Sequence, residues 1–243
     1  MVWTADAAVC SPISWANARS NQQLSARVQI GSGSGTIWRM TRLRFRSAEA
    51  PLDSSTTALK AGRLLAHLEA MGLLQGEGEI SRLTVAILES ALESAVNSGI
   101  PVDVAEYTRS LADERGLSSF LDKAEAIVEE NPVPTELPSV EAWLGPELSC
   151  EVVGVSRTSL NRYLKNARGL PDDVSWRAHL SCLLIGDLAG SYNEIGMRRW
   201  FVRPRGELDG LTPVDWLQKT RRSDDGFEKL RSLTSPLVSA RSA

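Results

Sequence analysis

Apolar residues in this chain recur mostly every three or four positions, the spacing that stacks side chains along one face of an α-helix. The first sustained run opens at Thr57, where Leu59, Leu64, Leu68 and Met71 share a face and Gly72 offers a stop. A second helix is expected over residues 80–97, with Ile80, Leu83, Ile87, Leu88, Ala91 and Ala95 in one stripe, closed by Gly99 and Pro101. Asp103 is placed to cap a third, and Ser118 or Ser119 a fourth that ends near Glu130. Residues 1–56 lack such periodicity and contain the glycine–serine run 31–35. They read as weakly ordered, or as two short strands within 28–45 about a glycine turn.

Residues 131–139 hold three prolines in nine positions. Proline removes a backbone donor and restricts its predecessor to extended conformations, so a linker is expected at 132–138. The implied units are 1–56, a helical region 57–131, the linker, 139–190 and 191–243. The fold class is mainly α.

Beyond the linker, Ser139 can cap a short helix through Leu144, and Pro146 suits the first turn of another running to Val153. The stretch VGVSRTSLNRYL, residues 153–164, then has the pattern of a helix-turn-helix. Gly154 permits a left-handed turn, Val155 plugs the angle between two helices, Ser156 caps the second, and Leu160 and Leu164 face inward. On that second helix Arg157, Thr158, Asn161, Arg162 and Lys165 avoid the apolar face, and no acid lies between Glu151 and Asp172. Arginine and asparagine can meet guanine and adenine edges bidentately, and Lys165 and Arg168 could neutralise phosphates. The candidate DNA-contacting set is therefore Ser156, Arg157, Thr158, Asn161, Arg162 and Lys165. An αα-hairpin with a solvated basic face remains the alternative.

Pro171, Asp172 and Asp173 open a long helix whose stripe includes Trp176, Leu180, Leu183, Leu184, Leu188 and Tyr192. A shorter one covers 193–202. Thr212 then caps another helix, with Pro213 as its first residue and Asp215 favouring the positive end of its dipole. A last short helix is expected at 225–233.

Composition narrows the function. The net charge of −3 advertises no nucleic acid, so any DNA contact must come from a local patch such as that after Ser156. Four arginines, Arg39, Arg42, Arg44 and Arg46, form a second basic stretch, read as a solvated strand or arm. No run reaches the roughly 18 apolar residues of a membrane span, and the N-terminus lacks a signal-peptide layout, so the cytoplasm is expected. Cys10, Cys150 and Cys182 are too scattered for a disulfide framework or a zinc site. His67 and His179 stand far apart within helical patterns and read as packed or surface residues. The glycine run lacks the lysine followed by Ser or Thr of a phosphate loop. With no acid/base pair, nucleophile elbow or partnered histidine in sequence, neither a catalytic residue, a metal nor a cofactor is expected.

The succession of GVSRTSLNRYL, a long helix and RRWFVRPRGELDGLTPVDWL resembles the antitoxins of the Xre/MbcA/ParS type. The likeness spans residues 140–238 and is carried most specifically by Trp200, Leu208, Gly210, Thr212 and Pro213. It implies that 139–190 is a helix-turn-helix-like region and that 191–243 is a toxin-binding domain with a C-terminal tail. It further implies a RES-domain toxin that consumes NAD⁺ as the partner, a homo-oligomer within the toxin–antitoxin complex, and repression of the pair's own promoter through operator DNA. Trp200, Leu211 and Trp216 concentrate apolar area there, and Arg198, Arg199, Arg203 and Arg205 surround it. Aromatics and arginines are favoured at interface hot spots, so these seven with Thr212 are the candidate toxin-binding residues. A stand-alone helix-turn-helix regulator without a toxin is the competing expectation.

Overall fold

A computed structural model describes residues 43–74, 78–165, 169–219 and 226–239, with side chains described as far as Thr234. The glycine run, Arg39, Arg42 and Arg168 lie outside the described residues, as does most of the expected strand pair at 28–45. The protein is mainly α.

Strand β1 (Leu43–Ala48) leads through helix α1 (Ser55–Ala70) into strand β2 (Ile80–Leu83), which pairs with β1 in parallel. Parallel strands need a crossover, and α1 supplies it. Phe45 reaches back from β1 onto Gly62, where a β-carbon would stand 3.7 Å from the ring. The expected helix over 80–97 is thereby corrected. Its first four residues form β2, and helix α2 (Val85–Asn97) starts after Thr84, whose hydroxyl accepts the Ile87 amide at 3.2 Å. Glu49, just past β1, also accepts the Val85 amide at 2.7 Å and so ties the sheet to the start of α2.

Helix α3 (Val104–Ser110) begins at the expected Asp103 cap. Helix α4 (Glu114–Glu130) begins before the expected serines, because Asp113 accepts the Gly116 amide at 2.7 Å. Helix α5 (Glu136–Leu144) starts inside the expected linker and ahead of Ser139. Val133, Glu136 and Leu137 are buried there, and the Thr135 hydroxyl donates to the Met71 carbonyl at 2.8 Å. The proline-rich segment is thus a corner packed on the core through Val133, Glu136 and Leu137, with Pro134 and Pro138 facing solvent, since rigid φ angles suit a sharp turn as well as a solvated tether.

Helices α6 (Pro146–Val153) and α7 (Arg157–Lys165) follow, then α8 (Asp172–Leu188), α9 (Glu194–Val202), α10 (Pro213–Lys219) and α11 (Gly226–Ser239). The last helix continues past the expected end at residue 233. Helix α8 is the spine: every residue from Ala178 to Ala189 is buried, as for a helix covered on all sides. It packs on α1, α5, α6 and α11, and α1 in turn packs on α4. Leu64, Leu65 and Leu68 from α1 and Leu180, Leu183, Leu184 and Leu188 from α8 belong to one core that runs through both expected helical regions. No helix among the described residues is long and apolar enough to cross a membrane.

Candidate functional site

The α6–α7 hairpin is built locally and anchored from outside. Pro146 is the first residue of α6, and Gly154 takes the left-handed conformation (φ 71°) that ends it. The Val155 amide returns to the Cys150 carbonyl at 3.0 Å, and Ser156 Oγ accepts the Ser159 amide at 3.2 Å, fixing the start of α7. Leu160 is fully buried, while Val155 and Leu164 pack at the core's margin. Arg177 of α8 donates to the Val153 carbonyl at 2.9 Å, and Gln218 of α10 donates to that of Glu151 at 2.7 Å. The first satisfies a carbonyl that the end of α6 leaves without an intrahelical partner, and the second adds to the Gly154 amide already bonded to Glu151. The hairpin is thereby locked to the body of the protein.

Of the candidate DNA-contacting residues, Ser156, Arg157, Thr158, Asn161, Arg162 and Lys165 are all exposed. Arg162 lies over the Tyr163 ring, 5.1 Å from its centroid, and Arg157 stands 3.8 Å from Glu147 across the turn. Exposed pairs at that distance are worth little, and both guanidinium groups are free to reorient toward a ligand.

The second candidate surface lies where α9 turns into α10. Asn193 caps α9 by accepting the Gly196 amide at 2.8 Å. Residues 205–211 then close on themselves. The Arg205 amide donates to the Leu211 carbonyl at 3.0 Å, the Gly210 amide to that of Arg205 at 2.9 Å, and a 3-10 turn occupies Gly206–Leu208. Asp209 (φ 57°) and Gly210 (φ 81°) are both left-handed, a pairing that glycine adopts freely and aspartate tolerates. Thr212 and Asp215 cap α10 reciprocally: the Thr212 hydroxyl accepts the Asp215 amide at 3.1 Å, and Asp215 accepts the Thr212 amide at 3.2 Å. A hydrogen bond from the Thr212 hydroxyl and one from its amide hold the Asp215 carboxyl below the usual carboxylate range.

The eight candidate toxin-binding residues divide here. Trp200 is 2% exposed, meets Phe201 edge-on at 5.3 Å and is roofed by the Arg205 guanidinium 5.1 Å from its ring. It is a core residue and so is removed from the set that could touch a partner. Trp216 is half-buried, its indole donating to the Gly226 carbonyl at 2.7 Å while Lys229 covers its ring at 4.6 Å. Leu211 and Thr212 are half-buried. Arg198 is committed inward, donating to the Trp143 carbonyl at 3.3 Å and pairing with Glu194 at 2.6 Å. Arg199 and Arg203 remain exposed.

A polar network that the sequence reading missed joins the first and last helices. Asp187 of α8 accepts from His67 of α1 at 3.1 Å and from Thr234 of α11 at 2.8 Å, with Arg63 at 3.3 Å. Arg63 also meets Glu125 of α4 at 2.8 Å, and Arg231 of α11 meets Glu129 of α4 at 2.6 Å. Burial by itself pushes the Asp187 carboxyl up, but the bonds from His67 and Thr234 and the charge of Arg63 outweigh it and hold the group below its ordinary range. For Glu125 burial prevails and its carboxyl is pushed up. His67, Glu125 and Glu129 bring three ligand-type atoms within 4.8 Å of one another. Their charge is already met by the two arginines, so a divalent cation there would have to displace a guanidinium group. The one signal in the sequence was Asp187 itself, an acid amid the apolar run LLIGDLAG, which needs a buried partner.

His179 forms a second buried pair. Its Nε2 lies 2.8 Å from the Glu129 carbonyl, which can only accept, so Nε2 carries a proton. Its Nδ1 lies 2.7 Å from Glu136 Oε1, and one further proton is held between them. Burial pushes the Glu136 carboxyl up. Both histidines therefore fasten helices together, His67 joining α1 to α8 and His179 joining α8 to α4 and α5.

Comparison of the chain with protein-family models, with curated proteins and with solved structures found no match.

Proposed function

We propose that this chain is the antitoxin of a type II toxin–antitoxin pair, a cytoplasmic binding protein without catalytic activity of its own. Its C-terminal part binds and neutralises a RES-type toxin that consumes NAD⁺, and the complex, containing more than one copy of the antitoxin, represses its own operon. The observation that carries the reading is the closed turn at 205–211. It seats Leu208 in the core, sets Asp209 and Gly210 left-handed and delivers Thr212 as the cap of α10, so each residue of the Leu-x-Gly-x-Thr-Pro pattern has a defined mechanical task. The buried Trp200 and the roof over it by Arg205 support the same reading.

The test is co-expression of the tagged chain with the reading frames beside its gene. A neighbour that is toxic alone, depletes NAD⁺, and loses both properties when it co-purifies with this chain is the expected result. A toxic neighbour that this chain neither binds nor silences would sink the proposal.

A second reading, a stand-alone regulator, is favoured by the exposed Arg157, Asn161 and Arg162 on α7 and by the anchoring of α6 through Arg177 and Gln218. It expects the purified chain alone to bind its promoter fragment tightly, with affinity falling steeply as salt rises.

A further inference from the structure

Helix α9 buries one face and leaves the other open. Met197, Trp200 and Phe201 point into the core, whereas Ile195 is 54% exposed and Val202 is 48% exposed. Large apolar side chains at that exposure are rare in this protein: among the described residues only Val96 joins them. Ile195, Arg199 and Val202 are spaced i, i+4 and i+7, which puts them on one side of the helix, with Arg203 at its end. That spacing is how a helix offers anchors to an apolar groove.

The charge around the anchors restricts what can cover them. Among the described residues neither Arg199 nor Arg203 has an ion pair, while the nearby acids Glu194 and Asp209 are held by Arg198 at 2.6 Å and Lys229 at 3.6 Å. Glu207 is exposed and, among the described residues, has no ion pair. A second copy of the chain is disfavoured. An isologous pairing of α9 with itself would bring Arg199, near the midpoint between the anchors, against its own symmetry mate. Nucleic acid is disfavoured as well, since phosphates offer nothing to Ile195 and Val202.

We infer that the outward face of α9, with Ile195 and Val202 as apolar anchors and Arg199 and Arg203 as a basic rim, docks a protein groove that is apolar at its floor and rimmed by carboxylates. This rests on the antitoxin reading and assigns the groove to the toxin. It moves the partner contact from Trp200, which is buried beneath, to the opposite face of the same helix. Because the four side chains project into solvent, replacing them leaves the core under Trp200 in place.

The experiment uses the full chain and the toxic neighbour co-purified with it. Ile195→Ser with Val202→Ser, and separately Arg199→Glu with Arg203→Glu, are expected to weaken the complex at least tenfold without moving the thermal midpoint of the chain alone. Photoactivated carbene labelling of Ile195 and Val202 in the unmutated chain is expected to fall when the complex forms. Unchanged affinity in both variants, or unchanged labelling, overturns the inference and leaves the antitoxin reading standing. Failure of the unmutated chain to bind the toxin overturns both. Two further results would overturn the assignment to a protein groove: a dimer of the chain alone that the serine variant abolishes, or binding to a random-sequence DNA duplex that the glutamate variant abolishes while α7 is intact.

Discussion

Gly186 of α8 lies against His67 of α1 so closely that a β-carbon on the glycine would stand 2.5 Å from the imidazole Cδ2 and 3.0 Å from the histidine's own backbone nitrogen. The ring has nowhere to go, because its Nε2 is bonded to Asp187 one residue further along α8. Close approach of the two central helices thus sets the register of the buried network as well as the packing of the core.

The expected outcome of Gly186→Ala follows from two opposed terms. Alanine gains about 1 kcal/mol of helix propensity over glycine. Overpacking a dense core costs typically 1–3 kcal/mol, and here both a fixed ring and a backbone must yield. The variant should lose up to about 2 kcal/mol in urea denaturation by the difference of these terms; a variant more stable than the parent would show that α1 and α8 are not in contact at this point.

Asp187 supplies an acid-range prediction. Its carboxyl is held below the ordinary range in the folded chain, so the stability it contributes is present above the unfolded value near 3.9 and is lost as pH falls toward the folded one. Asp187→Asn removes the carboxylate that accepts from the buried His67 and Thr234, and leaving buried hydrogen-bond partners poorly satisfied costs roughly 1–3 kcal/mol. Chemical denaturation at pH 7 should register a loss of that order, with a shallower decline below pH 4 in the variant than in the parent. Equal stability at pH 7 would mean the network is solvated.

The parts of this architecture legible in the sequence are those fixed by neighbours in the chain. Gly154, Val155 and Ser156 end one helix and start the next using bonds that span no more than five residues, and Thr212 and Asp215 cap α10 across three. What was illegible depends on partners far away. Ile80 and Leu83 are three apart and fit a helix, but β1 captures them as a strand. The tryptophan–arginine cluster at 198–205 reads as an interface, yet Trp200 and Phe201 turn inward to join Leu208 in the core, while Val202 faces solvent. The His67–Asp187 bond joins residues 120 apart, and no local pattern reports it.

Glu194 titrates in the physiological range. Burial pushes its carboxyl up to about 7 against the pull of Arg198. A carboxyl raised in the folded state binds its proton more tightly there than in the unfolded chain, so its contribution is fully present below the ordinary value of 4.5 and is lost as pH rises through 7. Carbon-detected NMR of the Glu194 carboxyl should give a midpoint near 7, and Glu194→Gln should flatten the fall in stability between pH 5 and pH 7 by about the share this one group contributes. A midpoint below 5 would mean that the Arg198 pair dominates. Because Arg198 also donates to the Trp143 carbonyl, the same titration bears on how firmly α9 is held to α5.

On the proposed DNA-binding reading, the exposed face of α7 would make two kinds of contact that differ in their response to salt. Side chains that read base edges bidentately, the role available to Arg157 and Asn161, each contribute about 1–3 kcal/mol of discrimination, so their replacement by alanine should relax sequence preference. With Lys165, at the end of α7, assigned to phosphate, Lys165→Ala should weaken all duplexes alike and lower the salt slope by about 1. Ser156→Ala should cost the chain about 0.5–2 kcal/mol by removing the cap of α7, weakening DNA binding through the helix rather than through a lost contact. Fluorescence anisotropy with the chain's own promoter and with a scrambled duplex, each titrated in salt, distinguishes these effects. If neither duplex binds at low salt, the hairpin is a scaffold that carries a solvated basic face, and the bonds from Arg177 and Gln218 serve only to seat α6 against α8 and α10.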